Sequence, residues 1–183
     1  MPVSPYCTIG PFFPASFVEG REDLTNYRGG TARGQHIVLS GRVLQEGGVP
    51  TRNTILEIWQ ADSNGIFRHS SDPRCSQADP GFAGWGRART DAEGWYRIRT
   101  VLPGSYSDRC PHANLMILAI GLTHRLVTTV FFADDPDSAR DPVLDCVKDA
   151  TARKRLFAKR ENAGEYRFDL ILRGENETPF FLD

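Results

Sequence analysis

The sequence predicts an all-β fold: an antiparallel β-sandwich with long peripheral loops and one or two short helices. Three observations carry this. Short runs that are β-branched or alternate with period two recur along the chain. Gly, Pro, Asp and Asn clusters separate them. The 183 residues include 17 Gly and 12 Pro, a generous supply of turn formers for one domain.

The first strand is expected over His36–Leu44 (HIVLSGRVL), with Gly47-Gly48 supplying the turn after it. Thr54–Gln60 (TILEIWQ) is the second, closed by the turn signal Asp62-Ser63-Asn64-Gly65. A strand-poor loop rich in Ser, Asp, Pro and Gly follows from Arg68 to Gly86. The turn Asp91–Gly94 leads into Trp95–Thr100, which alternates. Leu115–Ile120 is apolar throughout and reads as a buried strand, and Arg125–Phe132 is β-rich. Ala, Lys, Arg and Leu over Lys148–Arg160 predict a short helix. Tyr166–Leu172 alternates again as a final core strand. Residues 1–34 read as an irregular, Pro-interrupted segment. Their phenylalanines, Phe12, Phe13 and Phe17, call for a packing surface.

Composition excludes several classes. A net charge of −1 with 25% charged residues leaves no basic footprint for nucleic acid. No run approaches the ~20 apolar residues of a membrane span. The first residues lack a basic start followed by an apolar stretch. Cys7, Cys75, Cys110 and Cys146 form no C-x-x-C pair, so a reduced, cytoplasmic chain is expected. The basic residues Arg153, Lys154, Arg155, Lys159 and Arg160 read as a solvated face. Trp59, Trp85 and Trp95 read as core packing. His69 and His124 read as loop residues, and His36 carries no motif.

Three stretches stop looking generic when taken together. They are Leu56–Phe67 running on to Asp79–Arg87, then Thr90–Tyr106 with Pro111–Asn114, then Tyr166–Phe181. In this order and spacing they resemble the intradiol ring-cleavage dioxygenases, from about Thr8 to the C-terminus. The start Thr8-Ile9-Gly10-Pro11-Phe12 and the ending GENETPFF are similar to the alpha subunits of the protocatechuate 3,4-dioxygenase branch.

The resemblance implies a sandwich of the intradiol type and Fe(III) chemistry on a catechol-type substrate and O2. In the family the iron is held by two tyrosine phenolates and two histidines, the latter as H-x-H on a strand, where residues two apart share a face. Aligned residue by residue, Arg74 falls on the first tyrosine, Tyr106 on the second, His112 on the first histidine and Asn114 on the second. A guanidinium cannot ligate a cation. This chain is therefore expected to bind no metal and to carry no catalytic residue. Its expected role is that of the alpha subunit in an alpha–beta hetero-oligomer whose beta subunit binds Fe(III). Thr8, Gly10, Pro11, Phe12 and Thr129 are expected to line the substrate pocket, Thr129 standing where alpha subunits often carry an Arg. The reaction implied converts protocatechuate and O2 to 3-carboxy-cis,cis-muconate. Residues 1–183 are expected to be one domain, with 1–34 packing on the partner. Phe12, Phe13, Phe17, Phe180 and Phe181 are candidates for the contact surface. Two rival readings are a self-sufficient metalloenzyme built on Tyr106 and His112, and a non-catalytic β-sandwich with a small-molecule-binding or structural role.

Overall fold

The computed structural model describes residues 13–132 and 140–181. A 3-10 turn at Ala15–Phe17 precedes a small hairpin of β1 (Asn26–Tyr27) and β2 (Gly30–Thr31). Then come β3 (His36–Leu44), β4 (Ile55–Gln60), β5 (Trp85–Arg89), β6 (Trp95–Val101), β7 (His112–Leu118) and β8 (Leu126–Phe131). Helices α1 (Pro142–Cys146) and α2 (Ala150–Lys154) follow. The chain ends with β9 (Lys159–Asn162), β10 (Glu165–Arg167) and β11 (Leu170–Ile171). The sandwich is as expected: β3, β6, β9, β10 and β11 make one sheet, and β5-β4-β7-β8 make the other, wholly antiparallel.

Alternation places the core. In β3 the inward set includes Ile37, Leu39 and Val43, and in β6 Tyr96 and Ile98; Leu56, Ile58, Leu115, Ile117 and Val130 face them from the second sheet. At 20–33 cal/mol per Å2 of apolar surface, this single contiguous core is the main source of stability. Gln60 joins the two sheets from within. Its Nε2 donates to Val101 O (2.9 Å), and its Oε1 accepts from Thr100 Oγ1 (2.8 Å). A second apolar cluster of Phe131, Leu144, Leu156 and Phe157 lies where α1 and the segment after α2 cover the end of β8.

Four details differ from the expectation. The first sheet is mixed, because β10 and β11 both pair in parallel with β3. The run Tyr166–Leu172 is not one strand. At Phe168 the backbone closes onto Gly41, where a Cβ would stand 1.9 Å from Phe168 O. Phe168 N donates to Ser40 O, and the Asp169 carboxylate accepts from Arg42 N (2.9 Å) in place of the ladder. The Lys148–Arg160 helix is only α2, N-capped by Asp149 through Thr151 N (2.8 Å). Beyond it the chain extends, because Leu156 O and Ala158 N both bond to Phe131. Finally β5 was not anticipated at the end of the Arg68–Gly86 loop. Its Gly-Arg-Ala-Arg core lacks a β-forming composition, and pairing with β4 supplies the order instead.

The break at Phe168 gives a direct test. Tyr96 is buried, its Oη donates to Phe168 O (2.6 Å), and burial pushes its phenol pKa upward. Tyr96→Phe removes the donor and leaves the carbonyl short of a partner. The expected loss is about 1–1.5 kcal/mol, seen as a fall of about 3–4 °C in Tm by thermal unfolding.

Candidate functional site

Of the residues singled out in the sequence, Arg74, Tyr106, His112, Asn114 and Thr129 lie on the outer face of the second sheet and the loops at one end of it. After β4, Asp62 closes a turn: its Oδ1 accepts from Asn64 N (2.9 Å) and Ile66 N (3.1 Å), and its O accepts from Gly65 N. The other carboxylate oxygen accepts from Asp79 N (2.9 Å), tying down the far end of the loop. Gly65 (φ +70°) and Gly104 are jammed together. A Cβ at 65 would meet Ser105 O at 1.9 Å, and one at 104 would meet Gly65 N at 2.4 Å. Gly104 N donates to Asp62 O (2.9 Å). This interlock sets the turn that presents Tyr106.

Arg74 and Tyr106 lie side by side. The Arg74 guanidinium carbon lies 5.6 Å from the Tyr106 ring centroid, and its Nη2 donates to Gly65 O (2.6 Å). Asp72 accompanies it, with Oδ1 3.5 Å from Arg74 Nε. The N–H groups of Phe67 and Arg74 hold the Asp72 carboxyl below the usual carboxylate range. Phe67 stands edge-on to Tyr106 (4.9 Å) and to Trp59 (6.2 Å), and Trp59 meets the His69 ring at 5.3 Å. His112 and Asn114 share the outer face of β7. The buried His112 ring donates from Nδ1 to Cys110 O (2.7 Å) and packs beside Phe131. Asn114 Oδ1 accepts from Thr129 Oγ1 (3.0 Å), and Thr129 is itself buried.

These residues do not fit ferric iron. A fixed cation lies against Tyr106, and the oxygen of Asn114 already serves Thr129. Among the described residues no three of His, Cys, Asp and Glu converge. Thr8, Gly10, Pro11 and Phe12 lie outside the described residues. From Phe13 the N-terminal segment lies on β5 of its own chain: Phe13 and Phe17 stack (5.1 Å), and Arg89 Nη2 donates to Phe13 O (2.9 Å). The Arg87 guanidinium carbon lies 3.6 Å from the centroid of the Phe17 ring. Cys75, Cys110 and Cys146 are free thiols.

The tryptophans correct the sequence reading. Trp59, Trp85 and Trp95 are 42%, 36% and 38% exposed. Each lies two residues from a charged neighbour, Glu57, Arg87 and Arg97, and period two puts both on the outer face. That spacing is the signal in the sequence, and it marks an exposed row rather than core packing. Across the second sheet Trp85, Trp59, Asn114 and Thr129 form one cross-strand row, with Arg87, Glu57, Met116 and Val127 in the next. The roles of Asp62 and Asp79 were also missed, since nothing in a lone Asp marks it as a loop anchor.

His112 gives the site a pH signature. Desolvation lowers its pKa, opposed by the hydrogen bond to Cys110 O; nearby Arg109 lowers it further and Asp141 raises it. Below the unfolded value of about 6.5, the unfolded chain therefore binds the proton more readily than the folded one. Its contribution to stability is complete above pH 6.5 and is lost as the pH falls towards the folded value. Thermal unfolding between pH 7 and 5 is expected to show Tm falling. In His112→Asn, whose amide nitrogen takes the place of Nδ1, the fall should be smaller.

Comparison with known proteins agrees with this architecture. The family model described as "Dioxygenase" matches residues 8–174. The protocatechuate 3,4-dioxygenase beta chain of Burkholderia cepacia is 39% identical over 173 residues, covering 86% of this chain and 73% of that one. The alpha chain of the Pseudomonas putida enzyme is 35% identical over 161 residues, covering 82% and 77%. The dioxygenase domain of a carbohydrate-binding protein fusion from Streptomyces sp. SirexAA-E superposes with a TM-score of 0.61 at 26% identity, covering 92% and 96%. With its sandwich and the ordered motifs along it, the chain belongs to the intradiol ring-cleavage dioxygenase family.

Proposed function

We propose that this chain is the iron-free alpha subunit of a protocatechuate 3,4-dioxygenase, working in an alpha–beta hetero-oligomer whose beta subunit carries Fe(III) and all of its ligands. Overall identity does not separate the two chain types, since a beta chain and an alpha chain match at 39% and 35%. The carrying observation is the Arg74 guanidinium against the Tyr106 ring; by resemblance Arg74 aligns with a ligand tyrosine. Asn114, committed to Thr129, points the same way.

On this reading the chain contributes position, not bond-making: it walls the partner's site, orients the catechol and excludes water. Thr8, Gly10, Pro11, Phe12 and Thr129 are the residues proposed to line that pocket, with residues 1–34 of this single 1–183 domain reaching the partner. Thr129 brings no positive charge to a ring substituent. The setting is cytoplasmic.

The test is to express the chain alone and with its beta partner, then record visible spectra and oxygen uptake with protocatechuate. A colourless, inactive lone chain and a coloured, active co-purified complex are expected. Colour and turnover from the lone chain would overturn the reading.

A further inference from the structure

The N-terminal segment meets the body of the chain in two different ways. At residues 21–24 the backbone is sewn to both sheets. Arg21 O accepts from Arg87 N on β5 (2.9 Å), and Glu22 O accepts from Arg99 N on β6 (2.8 Å). Leu24 N donates to Arg99 O and Leu24 O accepts from Ala83 N, both at 2.9 Å. Ahead of Arg21 the pattern changes. The amides of Phe17, Val18, Glu19 and Arg21 bond within the segment, to Pro14 O, Ala15 O and Val18 O. Among the described residues, no backbone hydrogen bond joins residues 13–20 to either sheet. Of the side chains in that stretch, only Val18 is buried.

What holds residues 13–17 is a pair of arginine side chains. Arg87 and Arg89 stand two apart on β5 and so share its outer face. Arg89 Nη2 donates to Phe13 O (2.9 Å) and Pro14 O (3.4 Å), and Arg87 Nη1 donates to Phe17 O (3.4 Å). The Arg87 guanidinium carbon also lies 3.6 Å from the Phe17 ring centroid and 4.6 Å from that of Trp85. Glu57, its cross-strand partner on β4, accepts from Arg87 Nε at 2.5 Å and fixes the plane of the fork. A guanidinium can stack on rings and donate in its own plane at once, which an ammonium cannot. The segment is thus docked by side-chain contacts that one substitution can release, while its root at 21–24 stays sewn in place.

We infer that Arg87 is a positioning residue: with Arg89 it clasps the N-terminal segment to this chain's own second sheet, and so fixes where the residues ahead of Phe13 are presented to the partner's site. The effect on turnover rests on the subunit reading; the clasp itself does not. If release leaves about a tenth of the molecules docked, apparent substrate affinity falls by that fraction, while the docked ones turn over as before. The first arm of the test follows amide hydrogen exchange over residues 13–21 in the purified lone chain. Arg87→Gln should speed it about tenfold or more. Arg87→Lys should do less, because the charge remains and only the stack is lost. Phe17→Ala should match Arg87→Gln, and the double variant should add little, since both remove one contact. The second arm measures oxygen uptake with protocatechuate by the alpha–beta complex. There Arg87→Gln should raise KM about tenfold and leave kcat within about twofold. Unchanged exchange, or single effects that simply add, overturns the clasp. Faster exchange with an unchanged KM, or a loss confined to kcat, overturns the positioning role. A parent complex without activity refutes the subunit reading instead, and the exchange arm alone then decides the clasp.

Discussion

Substituting Asp62 by alanine is expected to lower the melting temperature by about 10 °C. The carboxylate is buried, and its oxygens accept from Asn64 N, Ile66 N and Asp79 N. Alanine leaves three N–H groups unpaired in a region closed to water. At about 1–3 kcal/mol for each unsatisfied group, partly relieved by relaxation, the loss comes to about 4 kcal/mol. For a chain of this size that corresponds to about 8–16 °C. Asp62→Asn keeps one acceptor oxygen for the turn but faces Asp79 N with a donor, so it should lose about half as much. Calorimetry on the three proteins decides the matter. A Tm for the alanine variant within about 3 °C of the parent would mean that the loop is held elsewhere, for instance by Asp79. That carboxylate itself accepts from Arg33 N (2.5 Å) and Gly81 N (2.9 Å).

The second large effect concerns metal. If Arg74 and Asn114 are all that separate this face from a ferric site, then Arg74→Tyr with Asn114→His should take up roughly one iron per chain and gain tyrosinate-to-iron colour. The parent should take up none. Each change has a structural basis. Arg74→Tyr removes the cation from the Tyr106 ring and its hydrogen bond to Gly65 O. Asn114→His frees that position from Thr129 and places two imidazoles on one face of β7. The single variants should remain colourless, because three donors and one misfit do not close the set. Metal analysis and visible spectra after ferric loading check both points. A double variant that folds but stays iron-free would show that loop placement had been lost along with ligand identity.

Much of the sandwich was legible in the sequence because its central strands announce themselves. β3, β4 and β6 combine period two with turn signals at both ends, and burial then has one solution. β5 was not legible, since WGRAR has no strand composition and becomes a strand only against β4. The last strand was drawn as continuous because its alternation is regular. What interrupts it is a contact with Gly41, 127 residues away from Phe168, and no local pattern encodes that. The site shows the same division. That His112 and Asn114 share one face of β7 follows from their spacing of two, whereas the meeting of Arg74 with Tyr106 depends on two loops distant in sequence. The outward tryptophans could have been placed by counting in twos from Glu57 and Arg87. The anchoring by Asp62 and Asp79 depends on which distant N–H groups arrive beside them.

The parallel pairing of β10 and β11 with β3 also sets a timetable for synthesis. Arg42 N bonds to Asp169 across a separation of 127 residues, so β3 waits for β10 and β11 to leave the ribosome before its second edge is covered. β6 can close the other edge early. Until β10 and β11 have been made, the nascent protein carries a nine-residue strand with one open side. Contacts of such long sequence separation make for slow folding. Yield should therefore depend on how quickly β10 and β11 follow, and a chain stalled or truncated before them is the form most prone to aggregate.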